Sequence, residues 1–597
     1  MITIENINPN KVDAGLGLIQ NVPKNILSKL GINYGVNLSK ANTIEVIIIS
    51  GDTPNNVRQV VEGLGGKYED LGFGFGIVNI PVENLWKLAN SESIQYIELP
   101  KSLYTTDSLS NRATCVTPAR ESFNIQGEGI LIGFIDTGID YTHPAFRNED
   151  RTTRIDYIYD LSENGKIYNR EDINRALETT DPFSVVPSYD NTGHGTHVVG
   201  IACAGGNINT AFYGVAPKSS IAMVKCTRGQ YALSTNIMRG LKFLVDRGKE
   251  LKKPLVVNIS LSTNDGAHNG TSLLEQYIST ISTLERISIV IAAGNEGDTA
   301  HHVGGELSRE KRVSINIAED ESTVILNLYK PVLSNISIRI VSPTGATSGE
   351  VQIREGYNEG TIGRDRYQVF YTGPKPFDLI GEISIALLTN AQYLSAGQWE
   401  IRISLLNEYG GVFDMWLPIS EGLNTKTKFL EPTVLNTLGI PATVRNIIAV
   451  GSYNYITNNI SPFSGRGRLI SFQNVRPDIV APGENITSAA PERSFDTKSG
   501  TSMATPHVAG IAALMMDWGI TKRNDQYLFG ERLKYYLVIS AKRTRTDITY
   551  PDPSWGYGEV CLNAAIESII STIGFIGTRN NEEYKVGNLF ISKPRDI

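Results

Sequence analysis

The sequence has few cysteines, no excess of positive charge and no long apolar run. Its 597 residues include four cysteines without CxxC spacing, which argues against a disulfide scaffold and a cysteine zinc site. We therefore expect all four to be reduced and mostly buried: Cys115, Cys203, Cys226 and Cys561. The 55 basic and 62 acidic residues leave a net charge of −7, so we expect no partner of nucleic acid or acidic membrane.

Two further absences concern targeting. No run of about 18 apolar residues occurs, so we expect no membrane span. The first residues, MITIENINPNKVDAGLGLIQ, lack a basic start followed by an apolar core, so we expect no secretory signal and synthesis in the cytoplasm. The composition, 41% hydrophobic and 20% charged, is typical of a globular protein. The length predicts several domains, because a single domain usually has about 100–150 residues.

Residues 1–95 have the pattern of a small α+β unit. The strand-like runs EVIIIS (45–50), GFGIVNIP (74–81) and IQYIE (94–98) alternate with two helix-like segments, which predicts a ferredoxin-like arrangement. The sequence GFGFG at 72–76 resembles a nucleotide-binding loop. Because it leads into a strand rather than a helix, we interpret it as a glycine-rich strand.

Residues 96–302 and 438–597 show a different, α/β pattern. Continuous apolar runs such as ILIGFIDTG (130–138), PLVVNISLS (254–262) and ISIVIAAGN (287–295) are separated by segments with helical periodicity. Strands that are apolar on both faces and alternate with helices predict a parallel sheet flanked by helices. Catalytic groups are then expected at the carboxyl ends of the strands.

Residues 303–437 contain no convincing helix. Short strand candidates such as STVILNLYK, NISIRIVSP and QWEIRISLL follow one another between turn residues, which predicts an all-β insert of jelly-roll or sandwich type. This insert has two interpretations. It is either a rigid brace packed on the α/β region or a docking surface for a substrate or partner.

Three short blocks each place a reactive side chain at a strand end or a helix start. Asp136 closes a strand in IGFIDTGIDYTHP, His194 opens a helix in NTGHGTHVVGIA, and Ser502 opens a long helix in SGTSMATPHVAGIAALM. The Ser502 hydroxyl is weakly acidic and needs a neighbouring base, a role that suits the imidazole of His194. A buried Asp136 carboxylate would fix the tautomer of that imidazole.

In this chain order the blocks resemble the Asp, His and Ser signatures of the subtilisin-like serine proteases, the subtilases. A fourth block, AAGNEG, places Asn295 where that family keeps its oxyanion-hole asparagine. The segment NISLS resembles the family's substrate-binding segment, which implies that Ser260, Leu261 and Ser262 line the cleft. The family usually has glycine where Ser262 stands, so we expect a narrower pocket.

The resemblance also implies a role for each region. It makes 1–95 a propeptide that serves as intramolecular chaperone and cleft inhibitor, and 96–302 and 438–597 the two parts of the catalytic domain around the insert at 303–437. The segment after the propeptide would lie in the active site, where the enzyme itself cuts it between residues 95 and 106. The resemblance implies no cofactor, and no acid-rich loop in the sequence requires calcium or another metal.

The acidic member of the triad has two alternatives. Asp140 lies near Asp136 but follows the turn, which makes it the weaker candidate. The sequence DTG also occurs in aspartic proteases, but those enzymes need two such aspartates and this chain has one DTG.

The other histidines in or near these blocks are interpreted as structural. His197 lies on the helix of His194, and His507 lies inside the helix of Ser502. His301 and His302 form a pair, but no acidic cluster with ligand spacing surrounds them, so we expect no metal site there.

One group of subtilases, the clostridial Csp proteases, resembles this chain in three features. These are the sequence after Ala512, the segment YPDPSWGYGEVCLNAA at 550–565 and the β insert. That group acts in spore germination, where it cuts the proenzyme of a cortex-degrading hydrolase. The resemblance therefore implies a spore-associated endopeptidase with that proenzyme as partner. Two alternatives remain, a general bacterial subtilase unrelated to germination and a regulatory protein whose cleft stays occupied.

Overall fold

The structure is a computed structural model of the 597-residue chain. It describes residues 9–13, 15–17, 43–105, 113–162, 165–206, 208, 212–228, 231–307, 309–468 and 475–577. Most of the first 42 residues, on which the expectation about a secretory signal rests, lie outside the described residues. So does Thr106, at the end of the interval expected to contain the processing bond.

The N-terminal unit, which comprises the described residues 9–98, is built on an antiparallel sheet of four strands in the order β2-β3-β1-β4. Its strands are β1 (Thr43–Ser50), β2 (Lys67–Gly72), β3 (Phe75–Pro81) and β4 (Ile94–Glu98), and its helices are α1 (Pro54–Gly63) and α2 (Leu85–Ala89). The element order β-α-β-β-α-β is the full ferredoxin-like order.

One strand of this unit was missed by the sequence analysis. Strand β2, KYEDLG, is mostly half-exposed and polar, so it has no apolar run to signal it. The glycine-rich segment GFGFG does lead into a strand, but it is the turn of a hairpin and not one strand. Gly72 ends β2, and Phe73 and Gly74 form a tight turn with φ values of 56° and 84° that leads into β3. A glycine suits Gly74 because left-handed backbone is costly for most other residues.

A central α/β unit follows. Among its described residues, the first part of this unit has ten strands and five helices. The strands are β5 (Ser102–Thr105), β6 (Leu131–Asp136), β7 (Ile155–Asp160), β8 (Lys166–Asn169), β9 (Ser220–Lys225), β10 (Thr227–Arg228), β11 (Tyr231–Leu233), β12 (Leu255–Ile259), β13 (Leu261–Ser262) and β14 (Ile287–Ala292). The helices are α3 (Val116–Phe123), α4 (Arg170–Leu177), α5 (His194–Cys203), α6 (Ser234–Leu251) and α7 (Leu273–Ser282).

The insert, described between His302 and Phe429, consists of two antiparallel sheets that share one apolar core. Their orders are β15-β24-β17-β22-β21-β20 and β19-β18-β23-β16-β25. The strands are β15 (His302–Leu307), β16 (Glu310–Ile317), β17 (Thr323–Pro331), β18 (Ile336–Val341), β19 (Val351–Gln352), β20 (Gly356–Ile362), β21 (Asp365–Thr372), β22 (Ile380–Thr389), β23 (Gly397–Leu405), β24 (Gly411–Trp416) and β25 (Lys428–Phe429). No α-helix occurs among the described residues of this region.

The α/β unit then resumes and completes its main sheet. Its last strands are β26 (Ile448–Asn454), β27 (Asn459–Ile460), β28 (Ile479–Pro482), β29 (Ile486–Ala490) and β30 (Ser494–Lys498), and its last helices are α8 (Thr501–Met516), α9 (Gly530–Ile539) and α10 (Leu562–Gly577). The main sheet has the order β27-β26-β14-β12-β6-β9-β7-β8, with β28 paired to β26. Its central strands are parallel, as the sequence predicts.

Both faces of this sheet are covered by apolar residues. In β6, Ile132 and Phe134 pack on one face, while Leu131 and Ile135 pack on the other. This two-sided burial explains why the strands read as continuous apolar runs. Asp136 is the last residue of β6 and lies at the carboxyl end of this sheet.

The expectation that all cysteines are reduced was wrong. Cys115, just before α3, forms a disulfide with Cys561, just before α10, across 446 residues of sequence. Cys203 and Cys226 are free and buried. The pairing depends on two helices that meet only in the folded chain, so no local spacing signals it.

The N-terminal unit packs on both other regions. Phe75 of β3 meets Tyr277 of α7 edge to face at 5.4 Å, and Arg239 of α6 forms ion pairs with Glu45 and Glu69. Near its other end, Leu16 shares an apolar cluster with residues of the insert, including Phe370. The N-terminal unit therefore bridges the α/β unit and the insert.

Candidate active site

Asp136 and His194 form a buried hydrogen-bonded pair at the carboxyl end of β6. The Asp136 side chain is fully buried, and its Oδ1 accepts hydrogen bonds from the Thr137 amide at 2.7 Å and from His194 Nδ1 at 2.6 Å. Because a carboxylate only accepts, Nδ1 of His194 must carry the hydrogen. The neutral ring therefore keeps its lone pair on Nε2, where a general base needs it.

The position of His194 at the start of α5 depends on a loop that Asp190 organises. Asp190 accepts hydrogen bonds from the hydroxyl of Thr137 at 2.7 Å, the amide of Gly193 at 3.0 Å and the amide of Thr196 at 2.7 Å. It thus ties the end of β6 to the first turn of α5. The sequence analysis missed Asp190, although an acid ahead of a helix start is a recognisable capping signal.

Ser502 is the second residue of α8, and it is fully buried. Its hydroxyl donates to the Ser260 carbonyl at 3.2 Å, and the Ser260 hydroxyl donates in return to the Ser502 carbonyl at 2.9 Å. Helix α8 packs against α5, so the helix that presents Ser502 lies beside the helix that presents His194. Two motifs that are 308 residues apart in sequence are thereby brought to one edge of the sheet.

Asn295 lies three residues beyond β14 with a fixed amide orientation. Its Oδ1 accepts from the Thr501 amide at 2.9 Å and from the Thr501 hydroxyl at 2.8 Å. Because the oxygen is engaged in this way, Nδ2 is the atom of the Asn295 amide that can donate to another group. Thr501 was also missed by the sequence analysis, since its role depends on Asn295 and is not local.

Ser260, Leu261 and Ser262, which are expected to line the cleft, are buried. Leu261 and Ser262 form strand β13, which pairs antiparallel with β5 in the register Leu261↔Thr105 and Ser262↔Tyr104. The other edge of β5 pairs with β11. The segment Ser102–Thr105 is therefore the middle strand of a short sheet in the cleft, the arrangement in which a peptide is bound by strand addition.

The weaker candidates have other partners. Asp140 accepts from the amide of Thr142 at 2.9 Å and from its hydroxyl. His197 meets the carbonyls of Ile486 and Asp496 at 3.1 Å, and burial lowers its pKa to about 3.

His507 donates from Nδ1 to the Met503 carbonyl at 2.7 Å, and burial lowers its pKa to about 4. His301 bonds to Glu296 at 2.7 Å, and His302 bonds to Asp414 at 3.0 Å. Within the part of the chain that the structure describes, no group of three or more His, Cys, Asp or Glu side chains is arranged to hold a metal ion.

Two family models match the chain. The Csp protease B prodomain matches residues 10–101, and the Subtilase family, peptidase S8, matches residues 127–342 and 424–558. The chain belongs to the subtilase family of serine endopeptidases. The predicted resemblance to the subtilases is thus confirmed, and so is the subtilase fold with an N-terminal prodomain.

Several known proteins resemble this subtilase. The structure of the Clostridium perfringens CspB protease is 55% identical, with a TM-score of 0.75, over 78% of this chain and 98% of that one. The PI-type proteinase of Lactococcus lactis subsp. cremoris is 22% identical over 82% of this chain, and the minor extracellular protease Vpr of Bacillus subtilis is 22% identical over 84%. The matches span 28% of the PI-type proteinase and 61% of Vpr.

The prodomain match ends at residue 101, and the strand that follows it, β5, pairs with β11 and β13 of the protease domain. Among the described helices, none combines the length and the apolar character that crossing a bilayer requires.

Proposed function

We propose that this subtilase is an active serine endopeptidase in which Ser502 is the nucleophile, His194 the general base and Asp136 the residue that orients His194. The observation that carries the proposal is the 2.6 Å bond between Asp136 and His194 Nδ1, which leaves Nε2 to accept a proton. Ser502 opens the neighbouring helix, and the hydrogen bonds from Thr501 orient the Asn295 amide beside it.

The reaction follows from these groups. Ser502 Oγ attacks the scissile carbonyl carbon and its proton passes to His194 Nε2, while the carbonyl becomes an oxyanion. The Ser502 amide and Asn295 Nδ2 donate to that oxyanion, and the start of α8 adds a favourable potential. His194 then gives its proton to the leaving amine. Water attacks the acyl-enzyme, with the same groups acting again.

We further propose that the N-terminal unit is a propeptide that the enzyme removes from itself. The support is the position of β5, which is bound as an extended strand between β11 and β13. Because β13 leads back to Ser260 and Ser502, we place the cut on the carboxyl side of Thr105, at the end of the interval between 95 and 106. The regions 1–95, 96–302, 303–437 and 438–597 keep the roles that the family resemblance implies.

The physiological proposal is that the enzyme activates the proenzyme of a spore cortex-degrading hydrolase during germination and is associated with the spore. It is supported by the CspB prodomain match and by the 55% identity to the CspB protease of Clostridium perfringens. A cleft-blocked regulatory protein is the second candidate, because β5 fills the cleft in this structure.

A gel experiment separates these candidates. We expect the wild type to split into a catalytic fragment and a propeptide that ends at or just beyond Thr105, and Ser502→Ala to remain one band. Mass spectrometry of the smaller fragment identifies the bond. An intact wild type that also fails to react with diisopropyl fluorophosphate would overturn the enzyme proposal and favour the cleft-blocked regulatory candidate, whereas an intact wild type that does react would overturn only the proposed self-processing.

The substrate is tested separately. We expect purified wild type to cut a recombinant cortex-hydrolase proenzyme at one bond, while Ser502→Ala leaves it whole. Cleavage of casein without cleavage of the proenzyme would favour the general subtilase.

A further inference from the structure

The loop that follows β13 is held largely by the insert. Asn264 donates from Nδ2 to the Leu417 carbonyl at 3.2 Å, and Asp265 accepts from Asn327 at 2.9 Å. Leu417 and Asn327 both belong to the insert, which enters the chain more than thirty residues after this loop. The contacts therefore connect the insert to the residues next to the substrate-binding strand.

The centre of this connection is a stack of three buried rings. Trp416, the last residue of β24, lies parallel to His268 at 4.1 Å between ring centroids with an interplanar angle of 10°. His302, the first residue of β15, stacks on Trp416 at 4.8 Å. Strands β15 and β24, the first and the last long strands of the insert, thus meet at Trp416, whose ring stacks on His268.

His268 in turn lies between two backbone segments beside β13 and contacts a carbonyl of each. Its Nδ1 lies 2.6 Å from the Leu438 carbonyl, and its Nε2 lies 3.1 Å from the Asn264 carbonyl. The neutral ring carries one hydrogen, and the shorter contact assigns it to Nδ1 as donor to Leu438. Burial lowers the pKa of His268 to about 4, which agrees with a neutral ring at physiological pH.

The segment that His268 holds packs directly behind β13. Gly439 follows Leu438, and a Cβ atom at Gly439 would lie 2.8 Å from the Cβ of Ser262. A Cβ at Gly294, next to Asn295, would lie 3.2 Å from the Cα of Gly439. With three backbones this close, a shift of Leu438 and Gly439 must move Ser262 or open a gap behind it.

We propose that Trp416 is a positioning residue for peptide hydrolysis: through His268 it fixes the wall behind Ser262 and thus the geometry in which the cleft pairs with an extended substrate. The inference rests on the proposed endopeptidase function. It gives the insert a role in substrate binding without any contact between the insert and the peptide. Trp416 does not touch the reacting atoms, so we expect its loss to leave the hydrogen bond between Asp136 and His194 in place.

The test compares Trp416→Leu with Trp416→Phe, because both lose the indole N–H and only the second keeps a ring face for His268. The substrate is a quenched fluorescent peptide with the chain's own sequence from Pro100 to Arg112. For Trp416→Leu we expect kcat/KM to fall about 10–100-fold, mostly through KM, since a misplaced wall weakens pairing with β13. Trp416→Phe should recover most of this loss, and diisopropyl fluorophosphate should inactivate all forms at similar rates.

Trp399→Leu is the matched control for simple destabilisation. Trp399 is fully buried in the insert, and its Nε1 donates to the Ser395 carbonyl at 2.8 Å. We expect this variant to lower the melting temperature and leave KM unchanged. If Trp416→Leu likewise lowers only the melting temperature and leaves KM unchanged, the insert acts as a brace and the proposal is overturned.

A second readout does not depend on activity. In the full chain carrying Ser502→Ala, we expect Trp416→Leu to speed amide hydrogen exchange in residues 261–268 at least about tenfold, and Trp399→Leu to leave that segment protected. Equal exchange in both variants would overturn the proposal. An inactive wild type with the expected exchange pattern would overturn the endopeptidase function and leave the link between Trp416 and the cleft in place.

Discussion

The catalytic centre and the junction of the three regions both bury charged groups, but they do so in opposite ways. At the catalytic centre a single carboxylate, Asp136, faces a single imidazole, and both are held by residues next to them in sequence. The junction cluster instead combines four carboxyl groups and two ammonium groups from every region of the chain. Its members are Asp13 and Glu98 of the N-terminal unit, Lys101 of the segment before β5, Asp265 of the α/β unit, and Lys375 and Glu382 of the insert.

The contacts at the junction cross region boundaries. Lys101 Nζ lies 3.7 Å from Glu98 of the N-terminal unit and 4.0 Å from Asp265 of the α/β unit. Lys375 is paired with Glu382 within the insert. Burial, together with the nearby Glu382 and Glu98, raises the pKa of Asp13 to about 8. The catalytic pair therefore persists after the N-terminal unit leaves, whereas the charge state of the junction depends on whether that unit is docked.

The largest effect is expected at the catalytic pair. In Asp136→Asn the amide no longer stabilises the imidazolium or fixes the tautomer, so we expect kcat to fall about 10⁴-fold. The melting temperature should stay near the value of the Ser502→Ala variant, which also keeps its N-terminal unit attached. Steady-state kinetics and thermal unfolding measure the two quantities, and a large fall in the melting temperature would contradict the separation of the two sites.

The next effect is expected at Asn295. Asn295→Ala removes the side-chain donor to the oxyanion, and we expect kcat to fall about 10²–10³-fold with little change in KM, as the corresponding loss costs about 2.7–4 kcal/mol in subtilisin itself. Single-turnover kinetics with the peptide from Pro100 to Arg112 separate acylation from binding. A change confined to KM would mean that Asn295 only shapes the cleft.

At the junction we expect smaller effects, which should change how tightly the N-terminal unit binds and leave kcat unchanged. Phe370 of the insert is 5% exposed, and a Cβ atom at Gly17 would lie 2.3 Å from its ring. Phe370→Ala exposes part of this contact, so we expect the dissociation constant of the cleaved N-terminal unit to rise about 10–100-fold, equivalent to about 1.5–3 kcal/mol. Phe370→Leu should restore most of the affinity, and kcat should not change in either variant.

The smallest effect, taken per pH unit, is a pH dependence of the docking of the N-terminal unit. Docked Asp13 has a pKa near 8 against 3.8 as its ordinary value, so the docked state holds a proton that the released state loses between those values. Docking is therefore favoured at low pH, and the dissociation constant should rise with pH by up to about tenfold per unit until pH 8. In Asp13→Asn this rise should be shallower.

The control for that measurement is Glu62→Gln, which changes an exposed carboxylate on α1 of the same unit. Fluorescence anisotropy of the labelled N-terminal unit between pH 5 and pH 9 gives the dissociation constant. If Asp13→Asn and Glu62→Gln follow the same curve, the junction is not the source of the pH dependence.

The sequence located the reactive residues because each lies in a short block beside an apolar strand or helix. Asp136, His194, Asn295 and Ser502 are of this kind, and so is the strand Leu261–Ser262. Asp190 and Thr501 were missed because they act through hydrogen bonds to those residues. Strand β2 was missed because its side chains are polar, and the Cys115–Cys561 pair because its members are far apart in sequence.

By itself the sequence determined the alternation of strands and helices, the family and the identities of the reactive side chains, since these depend on local periodicity and local motifs. The tertiary structure alone decided the disulfide, the strand that fills the cleft, the stack of Trp416 on His268 and the buried charges of the junction. Each of these joins groups from distant parts of the chain, and their contact exists only once folding has brought the backbone segments together.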